Sequence, residues 1–451
     1  MTAKAAATKH VGLAAEHESP EDPAGSETRV ALTPSAVRQV ADHGHHVAVE
    51  SGAGVRMGFE DDDYRAAGAV VVSREELYRG REVVIKLKGP THAEVASMDR
   101  GSLLVCMAHV KSIPERAAIC DERGIHLLAL ELVTERPPRA RAAQYIRSRL
   151  AMQRILADDG RPAGELHIAF AGFSADAFGA LQHVARSHPR SLQMLATSGM
   201  ARAPGDEDGE TLLVDVGALA QAAAQIPAAE VEPELDRLPA RRKIESLHET
   251  GRAGARFGID LALRTNARLN GPSDMRVTVL GYGNVAFGAL DECMRSGIAH
   301  LHIRTERTTE HASLRPHLAG SDLIINGIDG RDDPGSYVVT SDDLGSVIGP
   351  GAVIVDLVGG SASNRGAVEP IVECTSPDDP YVVVDGVYLA SVWGWPLVGF
   401  ARESMERYSE QILRMLLFDE RVLDGLEDAP AGIRGALVAG PLAGERAGPG
   451  R

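Results

Sequence analysis

Aromatic residues make up only 4% of this 451-residue chain, and it has four cysteines. So few rings leave little on which nucleic-acid bases could stack. Cys106, Cys120, Cys293 and Cys374 stand far apart, with no CxxC pair and no histidine at metal-ligand spacing. They read as buried free thiols of a reducing cytosol, and no metal site is expected. Basic charge is in deficit too: 47 Lys and Arg face 63 Asp and Glu, a net charge of −16. That balance repels phosphate backbones and anionic lipid surfaces, which speaks against nucleic-acid and membrane partners. No run approaches the roughly 20 apolar residues of a membrane span, and no signal peptide opens the chain. A cytoplasmic protein is the expectation.

What is present is a chain long enough for two or three domains at roughly 150 residues each, with 47 Gly and 24 Pro dispersed without a period. Between residues 9 and 140, VGLAA, HVAVE, AVVVS, EVVIKLK, SLLVCMA and IHLLALELV read as strands. PSAVRQVADHG and PERAAICDERG between them carry helical periodicity and stop at glycine. Such alternation predicts crossover connections and a parallel sheet. Residues 141–270 are Ala- and Arg-rich and read as a helical connector, with the turn-rich, acidic SGMARAPGDEDGE as part of an insertion around 187–238. Strand and helix signals alternate again over 271–380; 381–427, a strand and an amphipathic helix, is expected to complete the first lobe, and 428–451 to be a flexible tail. The fold class is therefore α/β, with two Rossmann-like lobes.

The second lobe opens with VTVL followed at once by Gly281, Tyr282, Gly283, Asn284, Val285, Ala286, Phe287 and Gly288. A G-x-G-x-x-A turn between a strand and a helix lets backbone approach a pyrophosphate and points helix amides at it. Gly281, Gly283, Asn284, Val285 and Gly288 are accordingly candidate cofactor residues. At the end of the next strand a carboxylate selects NAD and a cation NADP. The segment reads Arg304, Thr305, Glu306, Arg307, so Arg304, Thr305 and Arg307 favour NADP while Glu306 keeps NAD open. Asn326 and Gly327 end a third strand beside the expected nicotinamide ribose, and Asp356 closes a fourth, as a cofactor contact or as a turn residue.

In the first lobe, ETRVALTP (27–34), VESGAGVRMGFEDDDYRAAGA, VIKLKGP and VCMAHVK are each unremarkable alone. Arg29 could be a surface ion-pair residue, Lys86 and Lys88 solvated strand ends, and His109 a core histidine. In this order and upstream of a dinucleotide turn, they resemble the family of alanine dehydrogenase, the N-terminal part of nicotinamide nucleotide transhydrogenase, the lysine-forming saccharopine dehydrogenases and carboxyethylornithine synthase. The likeness covers roughly His10 to Glu135 and Ala240 to Leu417. It implies that an amino acid or 2-oxo acid meets NADP, or NAD, between two lobes. It also implies that Arg29 and Lys86 bind the substrate, Arg29 by its carboxylate, and that Lys88 and His109 are the catalytic pair.

Alanine dehydrogenases carry a second aspartate four residues after the one that stands here as Asp356, and this chain has Gly360 there. GYGNVAFGA, SDLIINGI and PLVGFARESMERYS look more like carboxyethylornithine synthase and saccharopine dehydrogenase. The implied reaction is reduction of an imine between a 2-oxo acid and an amino-acid amine. Reductive amination with ammonia is the alternative, and a catalytically silent NAD(P)-binding regulator is a third class. Assembly as a homo-oligomer stays open.

Overall fold

In the computed structural model, residues 7–196, 211–305, 310–329, 336–360 and 365–443 are described. The chain forms two compact units. Unit 1 comprises Met1–Arg136, Pro239–Ser246 and Phe400–Arg451, and unit 2 comprises Pro137–Leu238 and Leu247–Gly399. The α/β class holds in both.

Unit 1 is built on a seven-stranded sheet in the spatial order Leu437–Ala439, His126–Ala129, Leu103–Met107, Val83–Lys88, His10–Leu13, His46–Glu50, Val70–Val72. All neighbours are parallel except Leu437–Ala439, which runs antiparallel to His126–Ala129. The inner strands are apolar on both faces, as strands covered by helices on each side must be. Helices Pro34–Asp42 and Ala401–Leu417 bury Val37, Val40, Met405, Ile412 and Leu416 against one face. Helices His92–Ser97 and Pro114–Arg123 bury Val95, Ala117 and Cys120 against the other. Thr33 caps the first of these helices with Pro34 at its first position, and Gly124 ends the last at φ 67°, both as the local sequence requires.

Three readings of the sequence need correction here. Residues from 428 onward were expected to be flexible, yet Ala431–Arg434 is helical and Leu437–Ala439 joins the sheet. Completion of the first unit starts at Phe400 and not at 381. The hairpin Val382–Val384 and Val387–Ala390, turned by Asp385 and Gly386 at φ 50° and 78°, belongs to the sheet of unit 2. And the thiols are not all buried, since Cys374 is exposed.

Unit 2 holds a nine-stranded sheet, in the order Thr211–Asp215, His167–Ala171, Ser191–Leu195, His300–Arg304, Arg276–Leu280, Leu323–Asn326, Val353–Asp356, Val387–Ala390, Val382–Val384. The middle of the chain, read as a helical connector, therefore supplies three strands beside its helices Arg139–Asp159, Phe178–Arg186 and Leu247–Thr265. Ser191–Leu195 pairs antiparallel with His300–Arg304 and so continues the nucleotide-type sheet. The turn-rich stretch 198–210 lies outside the described residues. Helices Leu247–Thr265 and Asn284–Arg295 pack so tightly that a Cβ on Gly251 would lie 2.0 Å from the Val285 carbonyl oxygen, and one on Gly288 2.2 Å from that of His248. Among the described residues no helix is long and apolar enough to cross a membrane.

Candidate functional site

In a parallel sheet, ligands collect at the carboxyl ends of the strands where the chain changes direction across the sheet. In unit 1 that point lies between His10–Leu13 and Val83–Lys88. Charged residues gather at and just beyond it: Glu16, Glu21, Glu27, Arg29, Lys88, His109, Arg116 and Glu131.

A bulge sets the position of Lys88. Ile85 pairs with Val105, but Lys88 pairs with Met107, one residue out of step. The extra residue turns Lys88 onto the face that carries Ile85, Val105 and Met107. Burial, opposed by Glu27 and reinforced by Arg29, holds its ammonium below the usual lysine range. Lys86 does not share this role. It is 1% exposed, and its Nζ donates to the Ala15 carbonyl at 2.7 Å and to Glu16 Oε2 at 2.9 Å. Glu16 also accepts the Leu87 amide at 2.8 Å, so the pair ties two strands together. Burial raises the Glu16 carboxyl above its usual value although Lys86 opposes it. The substrate-binding reading of Lys86 therefore gives way to a bracing one.

Arg29 is buried, and part of its guanidinium is already engaged. Nε and one terminal nitrogen donate to Glu27 at 2.7 and 2.6 Å, and the other terminal nitrogen donates to Ser404 Oγ at 2.6 Å. Burial alone would raise the Glu27 carboxyl, but Arg29 outweighs it and brings it down to about 2. Three of the five guanidinium N–H groups are thereby used, which leaves two for a ligand carboxylate.

His109 follows the strand Leu103–Met107 at φ 48°. Its own amide and that of Ala108 donate to the two oxygens of Glu131, at 2.7 and 2.9 Å. Its carbonyl accepts the amides of Ser112 and Ile113. Held by its backbone, the imidazole keeps a buried Nε2 without a hydrogen-bond partner. Burial, and then the charge of Lys88, push its pKa down to about 4. Behind it, fully buried Arg116 donates to the carbonyls of Pro90 and Ala108 and to Glu21 Oε2 at 2.6 Å.

A pH prediction follows from that depressed value. The unfolded imidazole titrates near 6.5, so between about pH 6.5 and 4 the unfolded chain binds the extra proton. The contribution is fully present above pH 6.5 and is lost as pH falls through this window. His302 of unit 2, also held at about 4 by burial and Arg304, acts in the same direction. Melting temperature should drop from pH 6.5 to 4, and His109→Asn should flatten the slope. An unchanged slope in that variant would show that the imidazole is not buried as described.

In unit 2 the corresponding point lies beside the strand Arg276–Leu280. Gly281 follows it at φ 100°, which favours glycine, and its amide donates to the Arg304 carbonyl at 2.9 Å. Gly283 precedes helix Asn284–Arg295 as its N-cap, and a Cβ added there meets nothing within 4 Å. Asn284 and Val285 form the start of that helix, where amides lack intrahelical acceptors. Gly288 is a correction: it is buried against His248, and its missing side chain serves helix packing. Gly327 lies close to Gly281 and Ala286, and a Cβ on it would sit tightly, 3.3 Å from the Ala286 Cβ and from the Leu280 carbonyl oxygen.

Arg304 is 4% exposed, and its Nε has no hydrogen-bond partner. Burial and then Arg276 lower its pKa to about 10, and among the described residues no carboxylate counters them. Thr305 is buried beside it. Arg307 lies outside the described residues. Asn326 and Asp356 face each other: the Asn326 amide donates to Asp356 at 2.9 Å and to the Ile328 carbonyl. Asp356 also accepts the amides of Val358 and Gly359 at 3.3 and 3.2 Å. Burial raises its carboxyl pKa. Of its two readings, the turn residue is the one these bonds describe.

Reading the sequence had not singled out Glu16, Glu21, Glu27, Glu131, Arg116, Ser404 or Tyr408. Glu27 stood in the quoted ETRVALTP, two residues before its partner, and Ser404 and Tyr408 in the quoted PLVGFARESMERYS; the others gave no signal of a site. A dinucleotide cofactor fits unit 2 on three observations: the open space at Gly283, the helix start behind it, and the buried guanidinium of Arg304.

Residues 18–149 match the model of the alanine dehydrogenase/PNT N-terminal domain. The alpha subunit of NAD(P) transhydrogenase from Cereibacter sphaeroides is 27% identical over 394 residues, 86% of this chain and 62% of that protein. Alanine dehydrogenase from Bacillus subtilis (strain 168) is 36% identical over 116 residues, 26% of this chain and 31% of that protein. The chain thus spans less than two thirds of the length of either relative. A solved L-alanine dehydrogenase aligns at 20% identity and a TM-score of 0.49, over 96% of this chain and 94% of that one. Over residues 18–149 the chain is thus similar to the N-terminal domain that alanine dehydrogenases and transhydrogenase alpha subunits carry.

Proposed function

We propose that the chain is an NAD(P)H-dependent oxidoreductase that reduces the imine formed between a 2-oxo acid and an amino-acid amine, with NADP preferred over NAD. The observation that carries this reading is a half-buried His109, its Nε2 without a hydrogen-bond partner and its imidazole kept neutral by burial and by the charge of Lys88, at the carboxyl end of the unit 1 sheet. An amine arrives as an ammonium and must lose a proton before it attacks an oxo carbon. A neutral imidazole, which His109 is above pH about 4, is a base for that proton. Lys88 carries a proton that the carbinolamine oxygen can take as it leaves as water. The two N–H groups left on Arg29 receive the oxo-acid carboxylate. The nicotinamide supplies the hydride to the imine carbon. Gly360 in place of the second aspartate supports an imine over ammonia.

The preference for NADP rests on Arg304, a buried cation that no carboxylate among the described residues counters, where NAD-selective folds carry an acid. Arg304→Ala should weaken NADPH roughly ten- to hundredfold, the range of a charge-assisted bond, and NADH only about twofold. Equal losses for the two cofactors would remove the 2′-phosphate role.

Purified protein should oxidise NADPH when given pyruvate or 2-oxoglutarate with ornithine or lysine, and much more slowly with ammonium. Faster turnover with ammonium would assign reductive amination. Nucleotide binding without turnover for any pair would assign a regulator.

A further inference from the structure

Arg241, Arg242 and Lys243 are three consecutive cations, and among the described residues only the middle one lacks an acid. The strand Arg241–Arg242 pairs antiparallel with Thr134–Glu135, placing Arg241 opposite Glu135 and Arg242 opposite Thr134. Arg241 donates to Glu135 at 2.8 Å. Lys243 donates to Asp419 at 2.7 Å and to Glu420 at 2.6 Å, and lies 3.6 Å from Glu135. Neighbouring residues of a strand face opposite ways. Arg242 accordingly turns from those acids toward the carboxyl end of the sheet, where it donates through Nε to the Ile244 carbonyl at 2.7 Å and through a terminal nitrogen to Met107 Sδ at 3.5 Å. A thioether is a weak acceptor. Among the described residues no carboxylate pairs with Arg242, in a chain whose acids outnumber its Lys and Arg by 16.

Its surroundings are those of the site. Met107 is the register partner of Lys88. The charge of Arg242 reaches the Tyr408 phenol, over whose ring the Arg29 guanidinium lies at 5.4 Å. One phenol thus has two guanidinium groups near it, Arg29 largely neutralised by Glu27 and Arg242 without a counter-ion. Held at Nε and half-buried, Arg242 presents a fixed fork suited to a carboxylate.

We infer that Arg242 is a substrate-binding residue of unit 1 that takes a second carboxylate, beyond the one held by Arg29. The inference rests on the oxo-acid reading above. It makes the substrate class one with two carboxylates to bind, either both on a dicarboxylic 2-oxo acid or one on the amino-acid partner.

Steady-state kinetics and calorimetric titration of the full chain, comparing wild type with Arg242→Met and Arg242→Lys, test it. With 2-oxoglutarate and pyruvate as probes, the preference for 2-oxoglutarate should fall at least tenfold in Arg242→Met and partly recover in Arg242→Lys, if the oxo acid brings both carboxylates. If the amino acid brings one, the tenfold rise falls on KM for ornithine relative to 1,4-diaminobutane, which lacks the carboxylate. Ratios that stay within twofold in both comparisons overturn the assignment while leaving the oxo-acid reading intact. A wild-type chain that binds neither oxo acid overturns both. A melting temperature for each variant separates these outcomes from loss of fold.

Discussion

His109→Ala is expected to lower turnover about a hundredfold or more while the affinity for NADPH stays within twofold. The size follows from the role of a general base, and the split between turnover and cofactor affinity follows from where the residue sits. His109 belongs to unit 1, whereas the glycine turn and Arg304 belong to unit 2. Its backbone is held by Glu131 and by the start of helix Pro114–Arg123, so truncating the ring leaves those bonds in place. Below pH about 4 the wild-type imidazole is charged, and activity there should fall toward the level of the variant. Stopped-flow turnover, together with a fluorescence titration of NADPH, checks both halves. A variant that turns over normally but melts earlier would make His109 a packing residue.

The largest effect on stability is expected from Gly89→Ala. A Cβ there would lie 1.9 Å from the Arg116 Cζ and 2.2 and 2.3 Å from its terminal nitrogens. The glycine and the arginine therefore occupy one space, and Arg116 has nowhere to retreat because it is fully buried. Displacing it breaks its bonds to Glu21, Pro90 and Ala108 and leaves a buried carboxylate without its partner. Breaking a buried pair in this way costs roughly 3–5 kcal/mol, equivalent to about 6–20 °C for a unit of this size. Thermal melts of Gly89→Ala, Arg116→Met and the double variant measure it. The second substitution should cost much less in the presence of the first, because both act through one contact. Additive losses, or a Gly89→Ala protein that melts like the wild type, would contradict the contact. Gly349→Ala, whose Cβ meets nothing within 4 Å, should be close to neutral.

Both predictions show what local sequence conveys and what it does not. VTVLGYGN could be read because a strand, a positive-φ glycine and a helix start are all determined within eight residues. The strands of unit 1 could be read because runs such as VVIKLK and LLVCM are too short and too β-branched or apolar for helices of their own. HIAFA, SLQML and TLLVD were harder. They sit among Ala-rich helices, and their place in the sheet depends on Ser191–Leu195 pairing with a strand about 110 residues further on. The closing strand Leu437–Ala439 is three residues long between glycine-containing turns, and its existence depends on His126–Ala129 beside it.

The site follows the same division. Arg29, Lys88 and His109 could be proposed because their residue types and order carry a family likeness. Their partners were not, because Glu16, Glu21 and Glu131 reach them across turns separated by tens of residues. Lys86 and Lys88, two apart, would share one face of a regular strand; only the bulge before Lys88 separates the bracing lysine from the one proposed for chemistry. Gly288 looked like part of the phosphate turn because it stands two residues after Ala286, whereas its neighbour is the backbone of another helix. Arg242 gave no signal within a run of three cations until the ribbon with Thr134–Glu135 decided which of them faces an acid.

Imine reduction is tested most directly by following the hydride. NADPH carrying deuterium at the transferable C4 position is incubated with the protein, pyruvate or 2-oxoglutarate, and ornithine or lysine, and the products are examined by mass spectrometry and NMR. The expected product is a secondary amine with one deuterium on the carbon that was the oxo carbon. Deuterium found only in a primary amino acid made with ammonium, or only in a 2-hydroxy acid, would contradict it.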